Sequence, residues 1–478
     1  MLTFFRMAAL GLATLHLARG LLPFDLELAI SLFAVAVFVP GLFMMGKGFR
    51  KVSLIFLVAG MALLLTTSQP AAAWIKAWNS MTNVIAILVA MQAFGIPVSM
   101  GAYDKVIQRW TAVTFKSARS LYLFSSVFTH VIGSFLMFGA LPVALSLLGS
   151  TIEARSTQPK RFIATLITRS YVMIALWAPG AINLFLIIQA TGVTLSAMLP
   201  PGLILATLGL LLSWGMEQLH GGVLDHGDAT GAMAAAPAAG SDNGDSARDF
   251  RNKHDNPRSI LAADRNSLLV IILVACCMVG LVLLFERLGI GLTYTRILLA
   301  ACLVISIWTL SLLRHGDLSK AVTEYWVKSL PKVSDMGPFF VSMGFFSGAL
   351  EVSGLIALVQ PFIQQAALSL GMFSLVILPL LLIILSLVGM HPFITIVLLG
   401  KILADAGLPF PTTTIALVMA VGGATAYMIS PFGGIVMSMS AYTGVRAADV
   451  AIRWNWKFCL VFFAFGVSFA LLWGRLFF

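Results

Sequence analysis

The stretch Ala424–Val445 reads ATAYMISPFGGIVMSMSAYTGV. It is apolar enough for a membrane helix but fails as one at Ser430-Pro431-Phe432-Gly433-Gly434. There proline removes an amide and two glycines loosen the backbone. A matching break lies in Ser170–Val193, SYVMIALWAPGAINLFLIIQATGV. Pro431 stands 252 residues after Pro179, and Thr443-Gly444-Val445 stands the same distance after Thr191-Gly192-Val193. Interrupted hydrophobic segments at corresponding positions of two halves point to a transporter's binding site. The alternative is that both prolines merely kink packed helices, which leaves their common register with a repeat unexplained.

The rest of the chain sets this pair in a membrane. Of 478 residues, 59% are apolar and only 10% charged, with a mean hydropathy of +0.98. A soluble domain carries about 25% charged residues. The net charge of +11 falls largely in short loops between apolar runs, where it orients helices and calls for no nucleic acid. Cys276, Cys277, Cys302 and Cys459 all lie within apolar runs, without metal-ligand spacing, and read as small hydrophobes. The first apolar run carries Arg6 but no small-residue cleavage site, so it reads as a retained helix rather than a signal peptide.

An apolar run of about 20 residues crosses the hydrocarbon core. Spans are expected near 5–22, 27–45, 52–68 and 82–98, with Trp74 and Trp78 of AAAWIKAWNSM on one face of an interfacial helix. Basic loops (Lys105, Arg109, Lys116, Arg119; then Arg155, Lys160, Arg161) flank the apolar run 120–149 on both sides. If both loops are cytoplasmic, the run is a re-entrant hairpin with its tip between Thr129 and Gly139; otherwise it is one long tilted helix. The broken helix 162–192 and a span at 197–217 follow. Residues 218–265 are rich in Gly, Ala and Asp, cannot bury a core, and read as a disordered cytoplasmic linker. His220, His226 and His254, near or within it, read as solvated rather than metal-binding.

The second half repeats the first. Spans at 267–286 and 291–313 precede TEYWVKSLPKVSDMGPFFVSM, where Trp326-Val327-Lys328 echoes Trp74-Ile75-Lys76 and Met343 echoes Met91. Arg314, Lys320, Lys328 and Lys332 put this interfacial helix on the cytoplasmic side, opposite its partner by helix count. A second hairpin, 370–407, has its tip at His391-Pro392, and the broken helix 412–443 and a last span, 458–474, complete the chain. The expectation is an all-α polytopic protein with about eleven spans and two re-entrant hairpins, in two inverted-topology repeats. Residues 1–68 and 266–313 are scaffold helices, and 69–217 and 314–478 are the two repeats. The N-terminus is cytoplasmic and the membrane an inner, plasma membrane.

This order of elements resembles the ion transporter superfamily, which includes the divalent-anion/sodium symporters. The resemblance covers Trp74 to Trp473 and is architectural. Those symporters carry a Ser-Asn-Thr triplet at each hairpin tip. Here the matching places read Phe128-Thr129-His130-Val131 and Met390-His391-Pro392-Phe393, so the fold is carried over and the dicarboxylate chemistry is not. The resemblance implies a homodimer, with a fixed scaffold and a mobile transport domain.

A helix broken within the membrane offers free amides to an anion and free carbonyls to a cation. Pro179, Gly180, Asn183, Ser430, Gly433, Gly434 and Ser438 are therefore candidate substrate or ion ligands. His130 and His391 are the histidines deep in apolar runs near the expected tips. Each is able to bind a carboxylate, to take a proton, or simply to cap a backbone carbonyl. Thr129, Ser134 and Thr395 add hydroxyls, as do Ser125 and Ser126. Arg169 and Lys401 are candidate charge partners that could equally snorkel, and Glu351 is either an ion carrier or a helix exit.

No P-loop, zinc-protease or nucleophile-elbow motif occurs, so the chain is expected not to be an enzyme and to need no cofactor or metal. The expected function is secondary active transport of a small organic anion, a carboxylate by preference, driven by sodium or protons. The rival readings are an efflux protein, the large membrane subunit of a multi-component uptake system, and a membrane-embedded metal enzyme using His130 and His391.

Overall fold

The computed structural model describes residues 1–101, 118–136, 156–219, 257–314, 316–404 and 410–477, with isolated positions at 140–152 and Leu408. Every regular element among them is helical. The N-terminal helices are α1 (Leu2–Leu21), α2 (Glu27–Met44), α3 (Lys47–Thr66), α4 (Ala71–Asn79), α5 (Thr82–Ala93) and α6 (Gly95–Met100). They are followed by α7 (Ala118–Leu136), α8 (Pro159–Val172), α9 (Ile182–Thr191) and α10 (Leu195–Leu219). The second half holds α11 (Pro257–Arg287), α12 (Thr293–Leu312), α13 (Leu318–Glu324), α14 (Gly337–Val352) and α15 (Leu355–Leu370). It ends with α16 (Ser374–Leu387), α17 (Pro392–Ala404), α18 (Thr412–Ile429), α19 (Gly434–Thr443) and α20 (Trp454–Phe477).

Nine stretches among the described residues are long and apolar enough to cross a bilayer, so this is a multi-pass membrane protein. The sequence predicts about eleven. Arg6, His16 and Arg19 dilute α1, the first broken helix divides into pieces too short or too polar, and α14 has only 16 residues. Burial separates the nine into two kinds. Thr412–Thr443 is 83% buried and Ala71–Met100 72%, whereas the other seven are 17–44% buried. Most spans thus present an apolar flank outward, with Leu273, Ile307, Phe362 and Leu460 exposed, as lipid requires. The second broken helix is protein core instead.

Both breaks form where expected. The chain passes from α8 through a 3₁₀ turn, Met173–Leu176, and a loop containing Pro179 into α9. It passes from α18 through Ser430–Gly433 into α19. The residue before each of α9 and α19 has nearly the same backbone: Ala181 at φ −70°, ψ 117° and Gly433 at φ −65°, ψ 132°. Each short helix is closed by a left-handed glycine, Gly192 at φ 72° and Gly444 at φ 67°, donating to the carbonyls of Ile188 and Ser440. Positive φ at a helix C-terminus is what glycine supplies without strain. α9 packs on α18 and α8 on α19. The leading part of each broken helix therefore meets the trailing part of the other, and the two run antiparallel.

Three sequence expectations need correction. Of the range expected for the first hairpin tip, Thr129 to Gly139, the part up to Leu136 is helical, because α7 is continuous from Ala118 to Leu136. Ser125 to Leu136 holds no proline to stop a helix, and residues 137–139 are outside the described set. The linker is shorter than 218–265 at both ends: Leu219 closes α10, and Pro257, a natural first helical residue, opens α11. The remainder, with His220, His226 and His254, is outside the described residues. Finally, 355–370 forms α15, an element that the sequence reading did not assign. The second hairpin proper is α16 and α17, folded at Gly389 (φ 106°) and His391.

The cysteines behave as small apolar side chains, three of them on the exposed flank and Cys459 buried. Trp74 and Trp78 of α4 share a face, and both rings lie against Phe345 of α14, with centroids 6.1 Å and 4.6 Å away.

Candidate functional site

Pro431 has no N–H to give the carbonyl of Tyr427, which it would otherwise bond one turn back. Among the described residues no other donor reaches that oxygen. Gly433 lies directly beneath it: a β-carbon there would stand 2.6 Å from Tyr427 O and 3.2 Å from Ser430 O. The first half frees the equivalent carbonyl, Ala175 O, through Pro179, and there Asn183 Nδ2 covers it at 3.4 Å. The two breaks therefore share a backbone but differ in what closes it. The second is open.

Ser430 fixes the second break to the hairpin. Its hydroxyl donates to Ser386 O of α16 at 2.8 Å and accepts from the amide of Phe432 at 3.2 Å. Beyond Gly433, the first amides of α19 lack helical partners, as at any helix start.

Around this break buried polar atoms lie without partners: Nε2 of His391, Oγ1 of Thr395, the hydroxyl of Tyr427 and Oδ1 of Asn183. Their residues come from three neighbouring elements. The His391 and Tyr427 rings are 5.5 Å apart, edge to face. Tyr427 lies one helical turn beyond Gly423, against which Asn183 Oδ1 and Ile396 of α17 press. Glycine at 423 gives the Asn183 amide its place, since a β-carbon would approach Asn183 Oδ1 to 2.6 Å and push it aside. Buried polar atoms are nearly always paired, so these four orphans make the second break a candidate site.

His391 sits in an aromatic cage. Phe49 of α3, Phe339 of α14 and Phe393 of α17 surround it at centroid distances of 6.1, 5.3 and 4.6 Å. Its Nδ1 accepts a long bond, 3.4 Å, from the amide of Phe393, which leaves the proton on Nε2, pointing at no acceptor.

His130 is different. Its Nδ1 bonds Ser170 O at 3.0 Å and its Nε2 accepts from the indole of Trp177 at 2.8 Å. Both nitrogens are used, the tautomer is fixed, and the imidazole clamps α7 to the first broken helix. The two histidines share no hydrogen-bond or ring partner.

The remaining predicted site residues separate in the same way. Thr129 is fully buried and its hydroxyl has no partner, as is true of Ser125 and Ser126. Ser134 and Ser438 bond their own helix backbone, at Val131 O and Gly434 O, and Ser438 is exposed. Pro179 and Gly180 are buried, and Met91 closes over Gly180, its sulfur 2.8 Å from where a β-carbon would be. Glu351, half exposed, pairs with Lys76 at 3.2 Å. The side chain of Lys401 is outside the described residues. Arg169 is wholly engaged: Nη1 meets Glu217 Oε1 at 2.8 Å, Nε meets Asn455 Oδ1 at 2.8 Å, and Nη2 meets Trp454 O at 3.0 Å. Its guanidinium also lies 4.8 Å over the ring of Phe458.

Sequence reasoning missed Tyr427 and Trp177. Each signal was present, a lone aromatic within four residues before a helix-breaking proline. No group of three or more metal-ligating side chains occurs among the described residues.

No protein-family model and no curated protein sequence matches the chain. Its fold is similar to that of the Alcanivorax borkumensis YdaH transporter, with a TM-score of 0.56 at 13% identity over 88% of this chain and 99% of that one. It is likewise similar to Neisseria gonorrhoeae MtrF, placed in a class of antimetabolite efflux pumps, with a TM-score of 0.54 at 12% identity over 89% and 95%. The fold is one that transporters use. At these identities the likeness speaks for the fold alone.

Proposed function

We propose that the protein is a secondary active transporter of a small organic anion, with a carboxylate as the preferred class. One observation carries the reading: two antiparallel broken helices meet in the core, and the second is left open and ringed by unpaired polar atoms. In this reading the N–H of His391 Nε2 and the hydroxyls of Tyr427 and Thr395 receive the carboxylate, helped by the free amides of α19. Tyr427 O and Asn183 Oδ1 are acceptors, suited to a coupling cation, sodium or a proton carrier. Thr129 on α7 serves the first half in the same capacity.

The two halves, 69–217 and 314–478, are proposed as inverted repeats. Their broken helices and hairpins form the moving unit and 1–68 with 266–313 the scaffold, within a homodimer. Export, the activity named for MtrF, is a second reading.

A thermal-shift screen of carboxylates on the purified protein, with and without sodium, tests the proposal, since a ligand that binds only the native state raises its melting temperature. A carboxylate should raise it in wild type and fail to do so in His391→Ala. No shift by any carboxylate under any ion would end the organic-anion reading. Vesicle loading from either side then separates uptake from export.

A further inference from the structure

Away from the breaks, a second polar site lies where α8, α10 and the start of α20 converge. It is a cleft of 250 Å³ whose lining includes Arg161, Arg169, Arg453 and Lys457 but a single carboxylate, Glu217. That size is below the ~300–1,000 Å³ of pockets that take drug-sized molecules, so it suits one compact group.

The charges are unequally committed. Arg169 and Glu217 are each only 3% exposed and bond one another at 2.8 Å, so the carboxylate is neutralised from within. Arg161 stands 3.7 Å from the other Glu217 oxygen, and its Nε is buried without a hydrogen-bond partner. Arg453 and Lys457 complete the mouth, both exposed, with the Lys457 ammonium 5.8 Å over the ring of Trp456. Beside them is Trp454, which opens α20, and α20 belongs to a candidate span, Asp449–Phe477. The cleft therefore sits at the end of a candidate membrane helix, with an excess of cations and an indole at its lip. Basic pockets between spans on the Lys/Arg-rich side of a membrane are where phosphate-bearing headgroups are held, and guanidinium groups bind phosphate oxygens in pairs.

We infer that this cleft binds a phosphate oxyanion, supplied by an anionic phospholipid, through Arg161, Arg453 and Lys457. Occupancy ties the first turn of α8, the leading part of the first broken helix, to α20. The site makes no use of the residues assigned to transport.

Full-length protein in phosphatidylcholine nanodiscs, with or without added phosphatidylglycerol, tests this by native mass spectrometry and melting temperature. Phosphatidylglycerol should be retained and should raise the melting temperature. The double variant Arg453→Gln/Lys457→Gln should lose about tenfold or more of the retention, because each basic residue near the surface contributes separately. The exchange Arg453→Lys/Lys457→Arg should keep it, which excludes misfolding. Lys332→Gln, removing an exposed cation outside the cleft, should also keep it. Inorganic phosphate in detergent is the second arm: stabilisation that the same double variant abolishes would support the oxyanion site and name free phosphate as its source. Retention unchanged in the double variant, or equal loss in Lys332→Gln, would overturn the inference. So would the absence of any effect from either probe.

Discussion

The indole N–H of Trp177 points at Nε2 of His130, 2.8 Å away, and thereby settles which histidine is free. His130 hydrogen-bonds two helices together; His391 is packed among aromatic rings with its Nε2 proton unclaimed. Replacing Trp177 by Phe leaves a buried imidazole nitrogen unpaired, at a cost of about 1–3 kcal/mol. The melting temperature should fall while the shift produced by a carboxylate persists. His391→Ala, which empties part of an aromatic cage, should also lower the melting temperature, but it alone should abolish the shift. Loss of the shift in both variants would return His130 to the binding site.

Arg169 and Glu217 form a buried pair between α8 and α10, and removing one partner strands the other charge. Arg169→Met should destabilise the protein by about 3–5 kcal/mol, and Arg169→Met/Glu217→Met should recover most of that loss. The readout is thermal unfolding of the single and double variants in one detergent. If the double variant is no better than the single, the bonds of Arg169 to Asn455 and Trp454, rather than the ion pair, hold the helices.

Two glycines at the second break are required for different reasons. At Gly433 a methyl group meets Tyr427 O and fills the approach to the open carbonyl. Gly433→Ala should weaken carboxylate or cation binding by about tenfold or more, the scale of one lost polar contact. At Gly444 the constraint is φ alone, 67° with nothing near an added β-carbon. Gly444→Ala should cost about 1–2 kcal/mol of stability and leave binding affinity as it was. Calorimetric titration beside thermal unfolding distinguishes the two.

Asn183 has one atom used and one idle: Nδ2 covers Ala175 O and Oδ1 lies unpaired against Gly423. The melting temperature in sodium should exceed that in choline at fixed pH, and Asn183→Ala should remove the difference. A sodium increment that survives the substitution would exclude Oδ1 as a cation ligand.

The sequence by itself determined the membrane class, the two breaks and their common register. It could do so because hydrocarbon length, proline's missing amide and glycine's positive φ are local properties. Proline alone is not the signal; the glycines beside it together with the common register are. Pro40, Pro200, Pro201, Pro361 and Pro379 all lie inside continuous helices, whereas Pro179 and Pro431 interrupt theirs. The sequence did not separate the histidines, which look alike there because each lies deep in an apolar run. Only packing gave His130 the Trp177 indole and left His391 within phenyl rings that offer no hydrogen bond. The opening stretch, SPFGG at 430–434, was legible as a broken helix from composition alone. That its freed carbonyl is left open while the matching one is covered by Asn183 was a matter of tertiary structure. A side chain eight residues ahead in sequence, Asn183 from Ala175, reaches back over the first break, whereas at the second break residue 435 is an isoleucine, which offers no amide.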